Sequence, residues 1–412
     1  MTTTKNNEHN KLNVPNSTDK GNVIRNVPHL RFPEFEGEWE DFLINDVCSE
    51  FKSGKNIKAD SISESGEYPV YGGNGLRGYT SSYNHEGLYV LIGRQGALCG
   101  NVRSVHGKTF ITEHAIAVAG NEISNTSFLH YLFVKMNLGQ YSDQSAQPGL
   151  AVNKLLKIKV VLPSVSEQTK IARFLSLLDE RIATQNKIIE DLKKLKVAII
   201  EKMFCSPNQE QPMCRIKGFK QPLTTYKLGS FCSRIVTKNK DAKCSLVLTI
   251  AAQYGLVNQE SFFNKSVASE NLTGYYLLQK GEFAYNRSYS MGYDWGAVKR
   301  LDNYDKGVLS TLYICFKINE TIVDSDYLAY YFESSKWHRG LSNIAGEGAR
   351  NHGLLNVSVT DYFNTQHRFP PIEEQKTIAK MLNSITEKES EAVKLGECYQ
   401  KQKQYLLRKM FI

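Results

Sequence analysis

Several glycine-rich loops carry arginine, asparagine, glutamine or tyrosine side chains, and this combination suits contacts with DNA. Arginine can form two hydrogen bonds with guanine O6 and N7, and asparagine or glutamine can do so with adenine N6 and N7. The competing explanation is that these are solvated polar groups on tight turns. The candidate DNA-binding residues are Tyr71, Asn74, Arg77, Arg94, Gln95, Asn101, Arg103 and Gln147 in the first half, and Asn286, Arg287, Tyr289, Arg350 and Asn351 in the second.

The catalytic motifs that we sought in the sequence are absent. Gly72–Gly78 lacks the Gly-Lys-Ser/Thr ending of a phosphate-binding loop, and Gly107-Lys108-Thr109 has Val102 where that motif requires glycine. Pro370-Pro371 follows Phe369, so the Asp/Asn-Pro-Pro-Tyr/Phe motif for amino methylation of bases does not occur. There is no HExxH or GxSxG motif, and the eight cysteines form no CxxC pair. The sequence therefore favours a binding protein over an enzyme.

Two long segments of the chain repeat each other without a gap. The first runs from Pro163 to Phe204 and the second from Pro370 to Phe411, with equivalent residues 207 positions apart. Apolar residues in each copy advance alternately by four and three positions, the heptad spacing of a helix that packs along another helix. The first helix is predicted from Ser166 to Phe204, about 58 Å at roughly 1.5 Å per residue.

The heptad seam contains polar residues in both copies. These are Gln185 and Lys196 in the first copy, and Glu389 and Lys403 in the second, which also has a glycine, Gly396, on the seam. The second helix is therefore predicted to be less regular, with a bend near Gly396. An oligomerisation coiled coil is the competing explanation. Because one copy closes each half of the chain, we favour an intramolecular antiparallel pair whose outer faces are free for other proteins.

Short apolar runs broken by glycine precede each long helix and predict β-structure with tight turns. The fold class is α+β, with two α/β globular domains joined by two long antiparallel helices in a pseudo-two-fold internal repeat. The predicted regions are a disordered tail (1–28), a first domain (29–162), a first helix (163–205), a linker (206–214), a second domain (215–369) and a second helix (370–412). Helices are also predicted at 127–138 and 326–337.

Composition limits the environment and the partners. The chain has 412 residues, a net charge of +9 and a pI near 8.9, which suits a nucleic-acid partner. The scattered cysteines fit a reducing cytoplasm, and the sequence contains neither an apolar membrane span nor a signal-peptide core.

Together these motifs resemble the DNA-specificity subunit of bacterial type I restriction-modification systems. The resemblance rests on Tyr68–Gly75, Gly93–Gly96 and Gln147–Leu150, and on the proline-led helix start Glu-Gln-x-x-Ile-Ala at both Glu167 and Glu374. It covers about 30–412. It implies two target recognition domains, each of which reads one half of a split DNA site, and two helices that hold them apart.

The resemblance also implies partners and the absence of a cofactor in this chain. The helices would dock two methyltransferase subunits, and two ATP-dependent restriction subunits would complete the complex; S-adenosylmethionine, Mg²⁺ and ATP would belong to those partners. The candidate partner-binding residues lie at the two helix starts: Glu167, Gln168, Ile171, Glu374, Gln375 and Ile378. Two alternatives stay open at this point, a methylase or nuclease with unrecognised catalytic residues and a scaffold without DNA contact.

Overall fold

The computed structural model describes residues 26–143, 148–265, 268–269, 271–345 and 355–412. The chain packs into two compact units. The first comprises the chain up to Ala183 together with Glu397–Ile412, and the second comprises Thr184–Gly396. The predicted tail lies outside the described residues except for 26–28, where the Asn26 carbonyl accepts a hydrogen bond from the Trp39 amide at 2.8 Å.

The two units contain mixed α and β structure, as predicted. The described strands are β1 (Glu40–Leu43), β2 (Cys48–Ser53), β3 (Tyr68–Gly72), β4 (Gly75–Thr80), β5 (His85–Gly93), β6 (Val102–Ile111), β7 (Ala115–Gly120), β8 (Lys159–Leu162), β9 (Thr224–Lys227), β10 (Cys232–Arg234), β11 (Leu248–Ala251), β12 (Gly255–Asn258), β13 (Tyr276–Gln279), β14 (Phe283–Asn286), β15 (Ala297–Arg300), β16 (Lys306–Leu309), β17 (Ile314–Ile318) and β18 (Gln366–Phe369). The described helices are α1 (Ile44–Val47), α2 (Thr126–Met136), α3 (Val152–Leu155), α4 (Val165–Met203), α5 (Leu228–Phe231), α6 (Gln259–Phe263), α7 (Ser325–Glu333), α8 (His338–Ser342), α9 (Val359–Asn364) and α10 (Ile372–Met410).

The first unit is built around a six-stranded sheet in the order β2-β7-β5-β6-β3-β4. All neighbouring strands are antiparallel except β3 and β6. Both faces of the central strands are buried, which explains their continuous apolar sequence. Val90 and Val118 belong to the core that also contains Phe128 and Leu175, whereas Leu91 and Ala117 belong to a smaller cluster.

The second unit repeats this plan with more, shorter sheets. A four-stranded sheet has the order β10-β17-β14-β15, and two-stranded sheets pair β11 with β12 and β13 with β16. Each unit also has a small antiparallel sheet, β1 with β8 or β9 with β18, whose later strand leads into the long helix. The paired strands therefore fix where each long helix begins.

The long helices pack antiparallel within each unit. In the first unit Lys403 pairs with Asp179 at 2.5 Å and Tyr399 lies under Arg181. In the second unit the Gln185 amide donates to the Ala392 carbonyl at 2.9 Å. Residues nearer the C-terminus of α4 are therefore paired with residues nearer the N-terminus of α10. This confirms the predicted antiparallel pair.

The polar residues on the predicted seam have partners. Lys196 pairs with Glu389 at 2.5 Å, so two of the apparent irregularities in the heptad pattern neutralise each other. Gly396 is buried, and a Cβ atom there would lie 3.5 Å from Gln185 Cγ. The helix α10 continues without a break through Gly396.

Several predicted elements occur with shifted ends. The helix predicted at 127–138 is α2, which ends at Met136 because Asn137 takes a left-handed conformation with φ 50°. The helix predicted at 326–337 was wrong at its C-terminal end. It stops at Glu333, because Ser334 adopts an extended backbone and donates its amide to the Tyr331 carbonyl.

None of the described helices is both long enough and apolar enough to cross a membrane.

The core of the second unit contains a histidine that its neighbours hold in the neutral form. His367 is 2% exposed, and its two ring nitrogens lie 3.1 Å from the Tyr331 hydroxyl and 2.8 Å from the Thr365 hydroxyl. The Thr365 hydroxyl donates to the Tyr362 carbonyl, so it accepts from Nε2–H of His367 and leaves Nδ1 to accept from Tyr331. Burial lowers the pKa of His367 to about 3.

We therefore expect the second unit to lose stability in mild acid. Unfolded histidine takes up a proton near pH 6.5, so its contribution is complete above that pH and is lost as pH falls toward 3. Between pH 6.5 and 5 the loss is about 2 kcal/mol of unfolding free energy, at 1.36 kcal/mol per pH unit. Urea unfolding at pH 7 and 5 tests this in His367→Asn, whose pH-dependent loss should be smaller by that amount. The exposed control His106→Asn should behave like wild type.

Candidate nucleic-acid interface

The first unit brings its predicted loops together at one end of the sheet. The turn between β3 and β4 packs on the loop after β5, where a Cβ atom on Gly73 would lie 2.6 Å from the His114 carbonyl oxygen and 3.1 Å from Gly93 Cα. Only glycine permits this approach. Gly75 closes the turn with a φ of 106°, a conformation that L-residues rarely adopt. The glycine run therefore has a structural reason, and it leaves the Asn74 side chain exposed.

Backbone hydrogen bonds join the Gly93–Gly96 loop to the segment before α3. The Leu150 amide donates to the Arg94 carbonyl at 2.9 Å, and the Gly96 amide donates to the Pro148 carbonyl at 3.0 Å. Gln95 is exposed, with its amide oxygen 3.3 Å from His114 Nδ1. Within the described part of the chain, no residue forms a hydrogen bond with the Arg94 guanidinium. The predicted residues Arg94 and Gln95 are thus held by backbone contacts while their side chains keep donors and acceptors available.

The remaining described residues of the predicted set lie nearby. Arg77 and Arg103 were predicted on turns but lie on strands, because β4 begins at Gly75 and β6 at Val102. The Arg77 side chain covers Gly72 and the Arg103 guanidinium covers Gly75, and both arginines are exposed. A cleft of about 740 Å³ is lined by three residues of the predicted set, together with a histidine and an ion pair: Tyr71, Asn101, Arg103, His130, Asp179 and Lys403. Burial, and then the charge of Lys403, lower the pKa of His130 to about 4. His130 is therefore neutral at pH 7, and the cleft's cations are Arg103 and Lys403.

The second unit places Arg287 where the first places Arg94. Each arginine directly follows a central strand, β14 or β5, and each carbonyl accepts a hydrogen bond at 2.9 Å from a leucine amide, Leu355 or Leu150. The guanidinium of Arg287 donates to the carbonyls of Val357 at 3.2 Å and Leu312 at 3.0 Å. Arg287 therefore ties three segments together, and a base contact from it would require part of this arrangement to open.

Other predicted residues of the second unit have different surroundings. Asn286 is half-buried and caps the following turn by accepting from the Ser288 amide at 3.0 Å, whereas Tyr289 is exposed. Gln147, Arg350 and Asn351 lie outside the described residues. The loop after β14 thus presents Tyr289 more openly than Asn286 or Arg287.

Both helix starts carry the same ion pair, which the sequence analysis did not foresee. The Arg31 guanidinium donates two hydrogen bonds to Glu167, at 2.9 and 2.7 Å, and Arg215 makes the same bidentate pair with Glu374. The two glutamates are each 1% exposed. Hydrogen bonding to Glu374 raises the pKa of Arg215. The sequence does contain a signal, because Arg31, Phe35 and Cys48 recur 184 residues later as Arg215, Phe219 and Cys232.

The neighbouring glutamine fastens each helix to its own unit. The Gln168 side chain accepts from the Asn125 amide and donates to the carbonyls of Ile123 and Pro163, at 2.8 to 2.9 Å. Gln375 repeats this with the Asp324 amide and the Ile322 and Pro370 carbonyls, at 2.9 to 3.1 Å. Each glutamine therefore ties the strand before the long helix to the start of α2 or α7.

This packing changes what the helix-start motif can do. The predicted partner-binding side chains are each at most 2% exposed: Glu167, Gln168, Ile171, Glu374, Gln375 and Ile378. They hold the long helices to their own units. A partner-binding role for these residues stays a prediction. A partner that docks at either helix start would contact the exposed neighbours of these buried side chains.

The chain contains two similar α/β domains, each with an arginine loop and each followed by a long helix. It is therefore a two-domain protein with an internal repeat. Residues 36–194 match the family described as the type I restriction modification DNA specificity domain. This match, which covers the first domain and most of α4, confirms the resemblance that the sequence motifs indicated.

Two relatives and one solved structure are similar to this chain, with different identities and over different lengths. The chain is 42% identical over 154 residues to the Type I restriction enzyme EcoprrI specificity subunit of Escherichia coli, an alignment that spans 36% of this chain and 38% of that relative. It is 25% identical over 403 residues to the Type I restriction enzyme MjaVIII specificity subunit of Methanocaldococcus jannaschii, covering 86% and 87% of the two chains. The crystal structure of a type I restriction-modification S subunit from M. genitalium shares the fold, with a TM-score of 0.60, 16% identity and coverage of 94% of this chain and 99% of that one.

Proposed function

We propose that this chain is the non-catalytic subunit that gives a type I restriction-modification complex its DNA sequence specificity. Each α/β domain reads one part of a two-part DNA site, and the long helices set the distance between the two parts. The observation that carries the proposal is the repeated arginine loop. Arg94 and Arg287 follow equivalent strands, and the carbonyl of each accepts a hydrogen bond from a leucine amide. The side chains around the two loops differ, so the two parts of the site differ in sequence.

The charge of the chain supports a DNA partner. A net charge of +9 favours association with phosphates without specifying a sequence. Specificity requires side chains that reach base edges, and Asn74, Arg77 and Gln95 are exposed at one end of the first sheet. The proposal therefore divides the work between a general electrostatic attraction and a small set of loop side chains.

The long helices offer surfaces to protein partners. On α4, apolar side chains outside the seam are exposed in both units: Phe174 and Leu177 in the first, and Ile188, Leu195 and Val197 in the second. Ile188 and Leu195 are seven residues apart, so they lie on one face of α4 that a partner helix could cover. In this proposal methyltransferase subunits dock on the helices.

The proposal includes two methyltransferase subunits and two ATP-dependent restriction subunits, because the chain carries its helix and domain twice. Methyl transfer and DNA cleavage then belong to those partners, and so do S-adenosylmethionine, Mg²⁺ and ATP. The test is co-expression of this chain with a type I methyltransferase partner in a host that lacks the modification, followed by genome-wide mapping of methylated adenines. A two-part methylated motif that depends on this chain supports the proposal, and the absence of any such motif overturns it.

Arg94 provides a sharper prediction within this assay. Arg94→Ala should weaken binding of the assembled complex to its site by about 1–3 kcal/mol and relax one half-site, because one bidentate base contact is worth that much. The other half-site should not change. Lys220→Ala removes one exposed positive charge outside the predicted loops and serves as the control. Binding titrations at several salt concentrations would contradict the prediction if both variants weakened binding equally for all sequences.

A further inference from the structure

We infer that Gln253 and Tyr254, at the tip of the β11–β12 hairpin, contact bases of the half-site read by the second domain. The tip corresponds in position to the β3–β4 turn of the first domain. The inference rests on the proposed function and adds residues that the sequence motifs did not indicate.

Strand pairing establishes that the two hairpins are equivalent. In the first unit β3 runs parallel to β6, with Val70 opposite Phe110. In the second unit Val247, just before β11, is bridged in parallel to Val308 of β16, and the Val308 amide donates to the Leu246 carbonyl at 2.8 Å. The strands β6 and β16 both lead directly into the next core strand, β7 or β17. The β11–β12 hairpin is thus the second unit's version of β3–β4.

The surroundings of the hairpins agree with this equivalence. The β3–β4 turn packs on the carbonyl of His114, the residue that directly precedes β7. The corresponding residue before β17 is Tyr313, whose hydroxyl lies 3.2 Å from the Thr249 hydroxyl on β11. Its neighbour Leu312 accepts the hydrogen bond from Arg287. The second hairpin therefore rises beside the arginine loop, as the first does.

The tips of the hairpins differ in reach and in side chains. Pairing in the first hairpin ends at Gly72, two residues after Val70, whereas in the second it ends at Ala251, four residues after Val247. The second hairpin thus extends further by two residues, roughly 7 Å at about 3.3 Å each. Its turn is closed by the Tyr254 amide donating to the Ala251 carbonyl at 2.9 Å, and Gly255 follows with a φ of 88°. A Cβ atom on Gly255 would meet no described atom within 4 Å, so the backbone is uncovered at this point of the turn.

The chemistry of the tip suits base recognition. Gln253 is exposed, and a free primary amide can bind adenine N6 and N7 together. Tyr254 is 68% exposed, and its ring lies 6.5 Å from Phe262, which in turn is 5.0 Å from Phe263. All three aromatic rings are exposed, and the helix that carries the phenylalanines is capped by Asn258. Flat apolar rings beside an amide can pack on a thymine methyl group or on the face of a base, and they make no favourable contacts with water.

Genome-wide methylation mapping tests this with Gln253→Ala and Tyr254→Ala in the full chain, co-expressed with the methyltransferase partner. We expect each variant to keep the first half-site and the spacer, while methylation at the wild-type second half-site falls at least about fivefold, the loss of one base contact of about 1 kcal/mol. Gln253→Glu keeps the size and exposure of the side chain but removes the amide donor, so it should have the same effect. The exposed Gln221→Ala in the same unit is the matched control and should methylate like wild type.

The possible outcomes separate the inference from the proposed function. A wild-type two-part motif that stays intact in all three tip variants overturns the inference alone. Loss of both half-sites together also overturns it, because a tip contact affects one half only. A wild-type chain that directs no two-part methylation overturns the proposed function and this inference with it.

Discussion

Replacing Glu374 with alanine should lower the free energy of unfolding by about 3–5 kcal/mol, the effect expected when one member of a buried ion pair is removed. The Arg215 guanidinium lies in contact with both Glu374 oxygens, at 2.7 to 3.2 Å, and also donates to the Gln221 carbonyl. Without the carboxylate this guanidinium keeps one backbone acceptor for its buried donors. The same argument applies to Glu167, which Arg31 binds in the first unit.

The adjacent Glu373 provides a matched control. It lies in the same first turn of α10, but its side chain is 71% exposed and pairs with the exposed Lys376. Glu373→Ala should therefore cost less than about 1 kcal/mol. Urea unfolding combined with hydrogen–deuterium exchange reports each unit separately, and the loss in Glu374→Ala should appear first in peptides of the second unit. Equal losses for the two variants would show that helix-terminal charge, and not the buried pair, is what matters.

The sequence predicted the long helices to within one residue at the ends that could be compared. The first was expected at Ser166–Phe204 and occurs as Val165–Met203. This succeeded because heptad spacing is local, and apolar residues return to the seam after each polar one along the 39-residue helix. Residues on the predicted stripe, such as Leu175 and Leu382, are fully buried. The sequence did not show that the polar seam residues Gln185, Lys196 and Lys403 each have a partner on the other helix.

The roles of charged residues at the helix starts could not be predicted in the same way. Acidic residues in a first turn ordinarily reflect the helix dipole and stay exposed. Glu167 and Glu374 instead meet arginines 136 and 159 residues away in sequence. A contact of that separation leaves no trace in local spacing. The repeat offset of Arg31 and Arg215 was visible, but the sequence did not show what they bind.

The candidate site was predicted where motifs were local and missed where equivalence is carried by the backbone. The glycine run at Gly72–Gly75 and the arginine loop at Arg94 were visible as motifs, and the structure brings them together. The β11–β12 hairpin has a different sequence and a longer reach, so only its strand pairing relates it to β3–β4. Arg287 was correctly placed on a loop, but its bonds to Leu312 and Val357 depend on segments 25 and 70 residues away.

Lengthening both long helices by four residues should change the spacer between the half-sites and leave both half-sites unchanged. Four residues add about 6 Å of helix, close to two base pairs at roughly 3.4 Å each. The boundaries between the compact units give the insertion points, between Ala183 and Thr184 in α4 and between Gly396 and Glu397 in α10. Insertions there leave the pairs within each unit intact, including Asp179–Lys403 and Lys196–Glu389. Methylation mapping should show a motif whose spacer is about two base pairs longer, in place of the wild-type motif.

The choice of four residues follows from helix geometry. It is close to one turn of 3.6 residues, so side chains beyond the insertion keep nearly the same direction around the axis, whereas two residues would turn them to the opposite face. A four-residue insertion in α4 alone is the control, because it shifts one helix against the other and should abolish methylation instead of moving it. If the double insertion kept the wild-type spacer, the helices would not set the distance between the two readings. If it altered the bases of either half-site, the long helices would take part in reading the DNA sequence, and the division of roles between domains and helices would be wrong.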